Sequence, residues 1–286
     1  MGKNTVLTEH QSHRSFEGFQ KVYSHESNVL GCTMKFGVYL PPQAENQKLP
    51  VLYFLSGLSA TEQNFIIKSG AQRFAAEYGI ILINPDTSPR GDHIPDDPDS
   101  WDFAIGAGFF VNATQEPWKK NFKMYDYFLH EFQEVVKTNF PVNGEISVMG
   151  HSMGGHGALI TALKNPGFYK SVSVFSPIAN PSYGPWGIKA FTGYFGPKSE
   201  EWNNWDATEL VKKYNGPPFE VLIDQGTGDH YYDEGEILFE NFVEAAKKNG
   251  RVSTIVKLRK GYDHGFYYVS TFMGEHIKYH LDHFTK

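Results

Sequence analysis

Residues 146–160 read ISVMGHSMGGHGALI: an apolar run, a cluster of glycines around Ser152, then a second apolar run. Within it, Gly150-His151-Ser152-Met153-Gly154 has the form G-x-S-x-G. Three fixed positions at ordinary residue usage occur by chance in roughly one chain in ten of this length, so the context carries the weight. Residues 145–149, EISVM, have the make-up of a strand, and 153–164, MGGHGALITALK, that of a helix. Strand, sharp turn and helix, in that order, hold such a serine exposed, and small residues two positions either side let strand and helix pass closely. The turn also opens a helix, whose first N–H groups lack intrahelical partners and favour developing negative charge. Ser152 is therefore the candidate nucleophile.

Working outward, VLYFLSG (51–57), GIILINPD (79–86), SVSVFSP (171–177) and FEVLIDQG (219–226) are short apolar runs, each ending in Gly, Pro or Asp. Strands covered on both faces by helices have this character. Helical spacing lies between them, most clearly over 120–139, where Phe122, Tyr125, Leu129, Phe132 and Val136 recur at three and four. Further helices are expected over 62–78, 153–164, 233–248 and 266–282. Before residue 50, QKVYSHES and CTMKFGVYLPP alternate as half-buried strands around the turn-like NVLG, which predicts an antiparallel edge hairpin. The expectation is an α/β fold, with a mainly parallel central sheet, helices on both faces and an antiparallel N-terminal start. No repeat or linker divides the chain, so residues 1–286 are read as one domain. Two segments, 86–118 and 177–206, are too long for plain connectors and rich in aromatic residues, which marks them as binding loops.

Composition narrows the function. With 286 residues and 40% hydrophobic content the chain can bury a large core. A net charge of −6 offers no basic footprint for nucleic acid or an anionic membrane surface. Cys32 is the sole cysteine and cannot pair within the chain, which fits a reducing compartment and predicts a cytoplasmic protein. No window approaches a membrane span, and the first twenty residues lack the apolar core of a signal peptide. The Met1-Gly2 start invites myristoylation, but Val6 stands where that signal wants Ser or Thr.

A serine hydroxyl needs a base to take its proton and a carboxylate to orient that base. On this kind of sheet they follow the serine in the order acid, then histidine. His264, in GYDHGFYY, lies in a loop just before the last helix and is the choice for the base, with His151 and His230 as rivals. Among Asp224, Asp229 and Asp233, Asp229 is favoured because it lies in the loop beside glycines; Asp263 adjoins His264 too closely to bond its ring. An oxyanion needs two donors, and the N–H groups of Met153 and Leu58 are the candidates, the latter next to Gly57 in FLSGLSATEQNF.

The segments FLSGLSATEQNF, PDTSPRG, WDFAIGAGFFVNAT, GHSMGGHGALITALKNP, PWGIKAF, LIDQG and GYDHGFYY, spread over residues 20 to 280, resemble the S-formylglutathione hydrolase, or esterase D, family. The resemblance implies an α/β-hydrolase that cleaves the thioester S-formylglutathione to glutathione and formate and also acts on small esters. It implies Ser152, Asp229 and His264 as the triad, Leu58 and Met153 as oxyanion amides, no metal or organic cofactor, and a homodimer. One departure stands out: many members carry a cysteine where this chain has Ala60 in GLSATE, so sensitivity to thiol reagents should be weak.

A formyl group has no side chain, so selectivity should rest on a cramped acyl pocket, for which Trp101, His156 and Trp186 are the wall candidates. His276, His280 and His283 could stack on one face of the last helix; without a completing carboxylate they are read as a solvated face rather than a metal site. The acidic run DHIPDDPDS does not match a calcium loop and is read as a solvated rim.

Overall fold

A computed structural model describes residues 5–284; the Met1-Gly2 start lies outside them. Nine strands form one sheet in the order β1-β2-β3-β5-β4-β6-β7-β8-β9. The strands are β1 (Thr8–Ser15), β2 (Gly18–Ser27), β3 (Cys32–Leu40), β4 (Leu49–Leu55), β5 (Ile81–Pro85), β6 (Val142–His151), β7 (Val172–Phe175), β8 (Phe219–Gly226) and β9 (Val252–Arg259). The pairs β1/β2, β2/β3 and β3/β5 are antiparallel, and every pair from β5 across to β9 is parallel. The expected α/β arrangement is the observed one. The hairpin read at the N-terminus is β2/β3, but it is not the edge: β1, TEHQSHRS, pairs outside it. That strand is exposed along almost its whole length, so it carries no apolar alternation by which a sequence reading could find it.

Alternation within the central strands explains their continuous hydrophobicity. Val51, Tyr53 and Leu55 of β4 join one core cluster, while Leu52 and Phe54 join the other on the opposite face. Successive strand residues point to opposite faces, so a strand covered on both sides is apolar throughout. One face is covered by α1 (Glu62–Lys68), α2 (Ala71–Tyr78) and, from the far end of the chain, α11 (Phe266–His283), whose Tyr268, Val269, Met273 and Ile277 share a cluster with Ala71 and Ala75. The other face takes α3 (Met124–Asp126), a π-helical stretch Tyr127–Phe132, α4 (Gln133–Asn139), α5 (Met153–Lys164), α6 (Pro185–Phe195), α7 (Glu200–Asn203), α8 (Ala207–Lys212) and α10 (Phe239–Asn249). A one-turn helix, α9 (His230–Asp233), lies between β8 and α10.

Three helices depart from the expected spans. The single helix read over 62–78 is two, broken at Gly70, whose φ of +65° ends one screw and starts another. The helix read over 120–139 begins at Met124 and is widened by the π-helical turn. The helix read over 233–248 is α9 and α10, separated at Gly235 and Leu238, both with positive φ.

The strand order reverses between β4 and β6, where Leu55 faces Gly150 in the parallel register. In open α/β sheets the crevice outside the carboxyl ends at such a reversal is where ligands bind. The ends of β4, β6 and β8 deliver Leu58, Ser152 and Asp229, and the loop after β9 delivers His264.

Candidate active site

Ser152 closes β6 and precedes the first residue of α5, with φ +57° and ψ −119°. The tightness of this turn dictates its glycines. A Cβ on Gly154 would lie 1.9 Å from the Leu55 carbonyl oxygen, and one on Gly150 2.1 Å from the Gly154 carbonyl oxygen, so no other residue fits either position. The Ser152 backbone is pinned on both sides: its N–H donates to Phe175 O at 2.9 Å, and its carbonyl accepts from Ile178 N at 3.1 Å.

Asp229 is the N-cap of α9 and fully buried. Its Oδ1 accepts from the Tyr231 N–H at 3.0 Å, and its Oδ2 from Gln225 Nε2 at 3.1 Å and from His264 Nδ1 at 2.6 Å. Burial works to raise its pKa, but the bonds from His264, Gln225 and Tyr231 outweigh that and hold it below the usual carboxylate value. Because Nδ1–H is the donor to Asp229, the other ring nitrogen of His264 carries the lone pair. That Nε2 is buried and without a hydrogen-bond partner among the described residues. It belongs to a cavity of about 410 Å³ that Ser152, Leu58, Ala60, Trp101, Trp186 and Tyr231 also line.

The rivals are placed elsewhere. Asp224 is buried beneath the sheet edge, accepting from Arg259 Nε at 2.8 Å and Tyr268 Oη at 2.9 Å. Asp233 ends α9, and Asp263 turns back to accept from the Gly265 N–H at 2.9 Å. His230 lines the cavity with its ring packed on Tyr231. His151 does something the sequence did not reveal: its Nε2–H donates to the His264 carbonyl at 2.8 Å, and the two rings lie 4.7 Å apart. Burial lowers its pKa to about 3, so it stays a neutral donor. The residue before the serine thus holds the backbone of a residue 113 positions later.

Among the described residues, the N–H groups of Leu58 and Met153 make no hydrogen bond. Met153 N–H is the first of α5 and points out of the helix start, while the N–H of Ser59, next after Leu58 in the chain, is already spent on Gly106 O at 2.8 Å.

Of the three wall candidates, Trp101 and Trp186 line the cavity and meet edge to face, with ring centroids 5.7 Å apart. His156 does not: it is wholly buried within α5 between Phe109 and Phe191, away from the lining. One turn along from the serine, it faces the core rather than the crevice, and burial lowers its pKa to about 3. Tyr231, absent from the sequence reading, packs against both Trp186 and His264, at 4.5 and 5.0 Å between centroids. Only its position two residues after Asp229 hinted at this.

The histidines of α11 also need correction. His276 and His280 are completely buried, not solvated, and only His283 is exposed. Both face β7, where Ser173 Oγ bonds His276 Nδ1 at 2.9 Å and His280 Nε2 at 2.8 Å. Among the described residues no group of three histidine, cysteine or acidic side chains could hold a metal ion. No helix among them is long and apolar enough to cross a membrane.

A mainly parallel sheet with a serine on a tight strand-to-helix turn, sharing a cavity with a histidine that a buried aspartate orients, defines a serine hydrolase of the α/β-hydrolase class. Residues 27–279 match the family model described as "Putative esterase". The chain is 53% identical to the S-formylglutathione hydrolase of Rattus norvegicus over 275 residues, covering 96% of this chain and 97% of that protein. It is 52% identical to the Bos taurus enzyme of the same name, over 96% of this chain and 98% of that one. Its fold superposes on a solved S-formylglutathione hydrolase from Agrobacterium tumefaciens with a TM-score of 0.94 at 38% identity, covering 97% and 99% of the two chains. The chain belongs to the S-formylglutathione hydrolase family.

Proposed function

We propose that this chain hydrolyses S-formylglutathione to glutathione and formate through an acyl-enzyme on Ser152. The observation that carries the reading is the buried Asp229–His264 pair, at 2.6 Å, with His264 Nε2 unpartnered in the cavity that Ser152 lines. His264 Nε2 takes the hydroxyl proton as Ser152 Oγ attacks the formyl carbon. Negative charge on the former carbonyl oxygen falls to the free N–H groups of Leu58 and Met153. The C–S bond then breaks, and His264 returns the proton to the departing glutathione thiolate. A water molecule gives up a proton to the same nitrogen as it attacks the formyl ester, the Oγ–C bond breaks, His264 returns that proton to Ser152 Oγ, and formic acid leaves and ionises to formate. Asp229 holds the ring in the tautomer this requires and stabilises the imidazolium. Trp101 and Trp186 restrict the acyl side. The buried, lone Cys32 supports a cytoplasmic setting, and the same family reading carries a homodimer.

The test is kcat/KM for S-formylglutathione beside S-acetylglutathione, S-lactoylglutathione and p-nitrophenyl acetate. A preference for the formyl thioester of several hundredfold, about 3–4 kcal/mol in the transition state, is expected. Ser152→Ala should lower kcat by ~10⁴ or more. Asp229→Asn should cost far more than Asp224→Asn. A flat profile led by the aryl ester would make this a general esterase, and an active Ser152→Ala enzyme would remove the nucleophile.

A further inference from the structure

Two unspent charges of opposite sign lie at the cavity, Asp263 on its lining and Lys68 against a residue that lines it. Lys68, in the last turn of α1, is exposed and makes no ion pair among the described residues. Its Nζ stands 5.9 Å from the ring centroid of Phe266, and Phe266 lines the cavity. The same ring is tied to the site, its centroid 5.8 Å from that of His151. Asp263, three residues before Phe266, also lines the cavity; its Oδ1 accepts from the Gly265 N–H, and its Oδ2 has no partner among the described residues.

The other cations near the cavity are committed. Arg90 touches the lining through the Ala60 carbonyl, but it is locked on Asp86 at 2.8 and 3.0 Å. Lys189, on the helix that carries Trp186, is paired with Asp102. The interior beside Ser152 is walled by Trp186 and Tyr231, which offer no charge.

A glutathione thioester must place two carboxylates and one ammonium somewhere while its sulfur lies at Ser152. An extended tripeptide spans roughly 10 Å, so its charged ends reach the rim. Only the γ-glutamyl end presents a carboxylate and an ammonium on one carbon atom, whereas the glycyl end presents a carboxylate alone. A cation against the cavity-lining Phe266 and an anion on the cavity wall three residues before it match the first pattern. The lysine ammonium is a compact charge on a flexible stem, which suits a carboxylate, and the ring beneath it limits its wandering.

We propose that Lys68 and Asp263 form the subsite for the γ-glutamyl end of the substrate, with the Lys68 ammonium on its α-carboxylate and Asp263 Oδ2 on its α-ammonium. The proposal rests on the reading of the chain as an S-formylglutathione hydrolase, and it makes these two residues determinants of specificity rather than of the chemical step.

The experiment compares S-formylglutathione with a truncated probe, S-formyl-N-acetylcysteinylglycine, which keeps the reacting thioester and the glycyl carboxylate but lacks the γ-glutamyl end. The wild-type ratio of kcat/KM between the two should favour the full substrate. Lys68→Glu should reduce that ratio about tenfold and Lys68→Gln about fivefold, mainly through KM, as an exposed ion pair in a partly shielded site implies. Asp263→Asn, which keeps the acceptor for Gly265 N–H, should reduce it about threefold. The wild-type ratio should also fall with added salt, and that of Lys68→Gln, left with the Asp263 pair alone, should fall less steeply. If Lys68→Glu leaves the ratio within twofold of wild type, the subsite is overturned. A wild-type enzyme with no preference for S-formylglutathione over S-acetylglutathione would instead overturn the functional reading, so the two failures are distinguishable.

Discussion

At the scale of the residue, Ser152 shows what the turn costs. Its φ of +57° and ψ of −119° lie in a region that favours glycine, and a non-glycine residue held there costs about 1–3 kcal/mol. The bonds to Phe175 and Ile178 keep it in place. Ser152→Gly should therefore be inactive yet more stable than Ser152→Ala by about 1 kcal/mol in urea unfolding, after allowing for the larger entropy loss of glycine. Equal stability of the two variants would show that the turn stores no strain. That Ser152, Asp229 and His264 come together at one cavity was legible because each lies beside a local signal: the glycine-flanked turn, a strand end, the loop before a helix. His151 was not. Its neighbour in sequence is Ser152, but its partner is the carbonyl of His264, and no spacing rule encodes a contact that only the closed sheet creates.

At the scale of the element, α11 explains why the base stays where it is. Below the loop that carries His264, this helix is fastened to the sheet by a buried polar chain: Ser147 to Ser171 at 2.7 Å, Ser171 to His280 Nδ1 at 2.7 Å, His280 Nε2 to Ser173 at 2.8 Å, and Ser173 to His276 at 2.9 Å. Beyond it, Asp224 binds Arg259 and Tyr268, the last also on α11. A helix held by directional bonds cannot slide along the sheet as one held by apolar contact alone can. His280→Phe keeps most of the volume but leaves the hydroxyls of Ser171 and Ser173 short of a partner, a loss of about 2–4 kcal/mol in urea unfolding. Adding Ser147→Ala and Ser171→Ala should recover part of it, because that end of the chain then keeps no polar group without a partner, and removing partners together is far cheaper than stranding some of them. No recovery would mean that shape, not hydrogen bonding, seats the histidine. Periodicity located α11 and α5 well, since both run unbroken against the sheet. It merged α1 with α2 and α9 with α10, because a glycine in left-handed conformation breaks the helical screw without breaking the apolar pattern. It also placed the histidines of α11 in solvent: buried imidazoles and exposed ones look alike until the serines of β6 and β7 arrive across the sheet.

At the scale of the whole molecule, the mainly parallel sheet was legible in outline because runs such as VLYFL and IILI are apolar at every position, and only strands covered on both faces need that. The edge strand β1 escaped, having no buried face to record in its sequence. The same burial that fixes the fold sets its response to acid. His25, His151, His156, His276 and His280 are all held below the ordinary histidine pKa, burial being the leading cause for each. In the unfolded chain they would take up protons near pH 6.5, but in the native state burial makes each harder to protonate, so stability falls as the pH drops from about 6.5 toward their lowered native values. Glu236 acts in the opposite sense. Burial raises its pKa to about 7, with the Trp186 N–H opposing at 2.8 Å, so the native state keeps a proton that the unfolded chain has lost, and stability falls as pH rises between its ordinary value and about 7. Five histidines outweigh one glutamate. Unfolding near pH 5.5 should take up roughly two protons or more, and the urea midpoint should rise steeply from pH 5.5 to 6.5 and then level off toward 7.5. Glu236→Gln, which can still accept from the Trp186 N–H, removes the opposing group and should make that rise steeper. A midpoint that stays flat across this range in both proteins would mean that the buried histidines are protonated in the native state, which the arrangement around His151 and His264 does not allow.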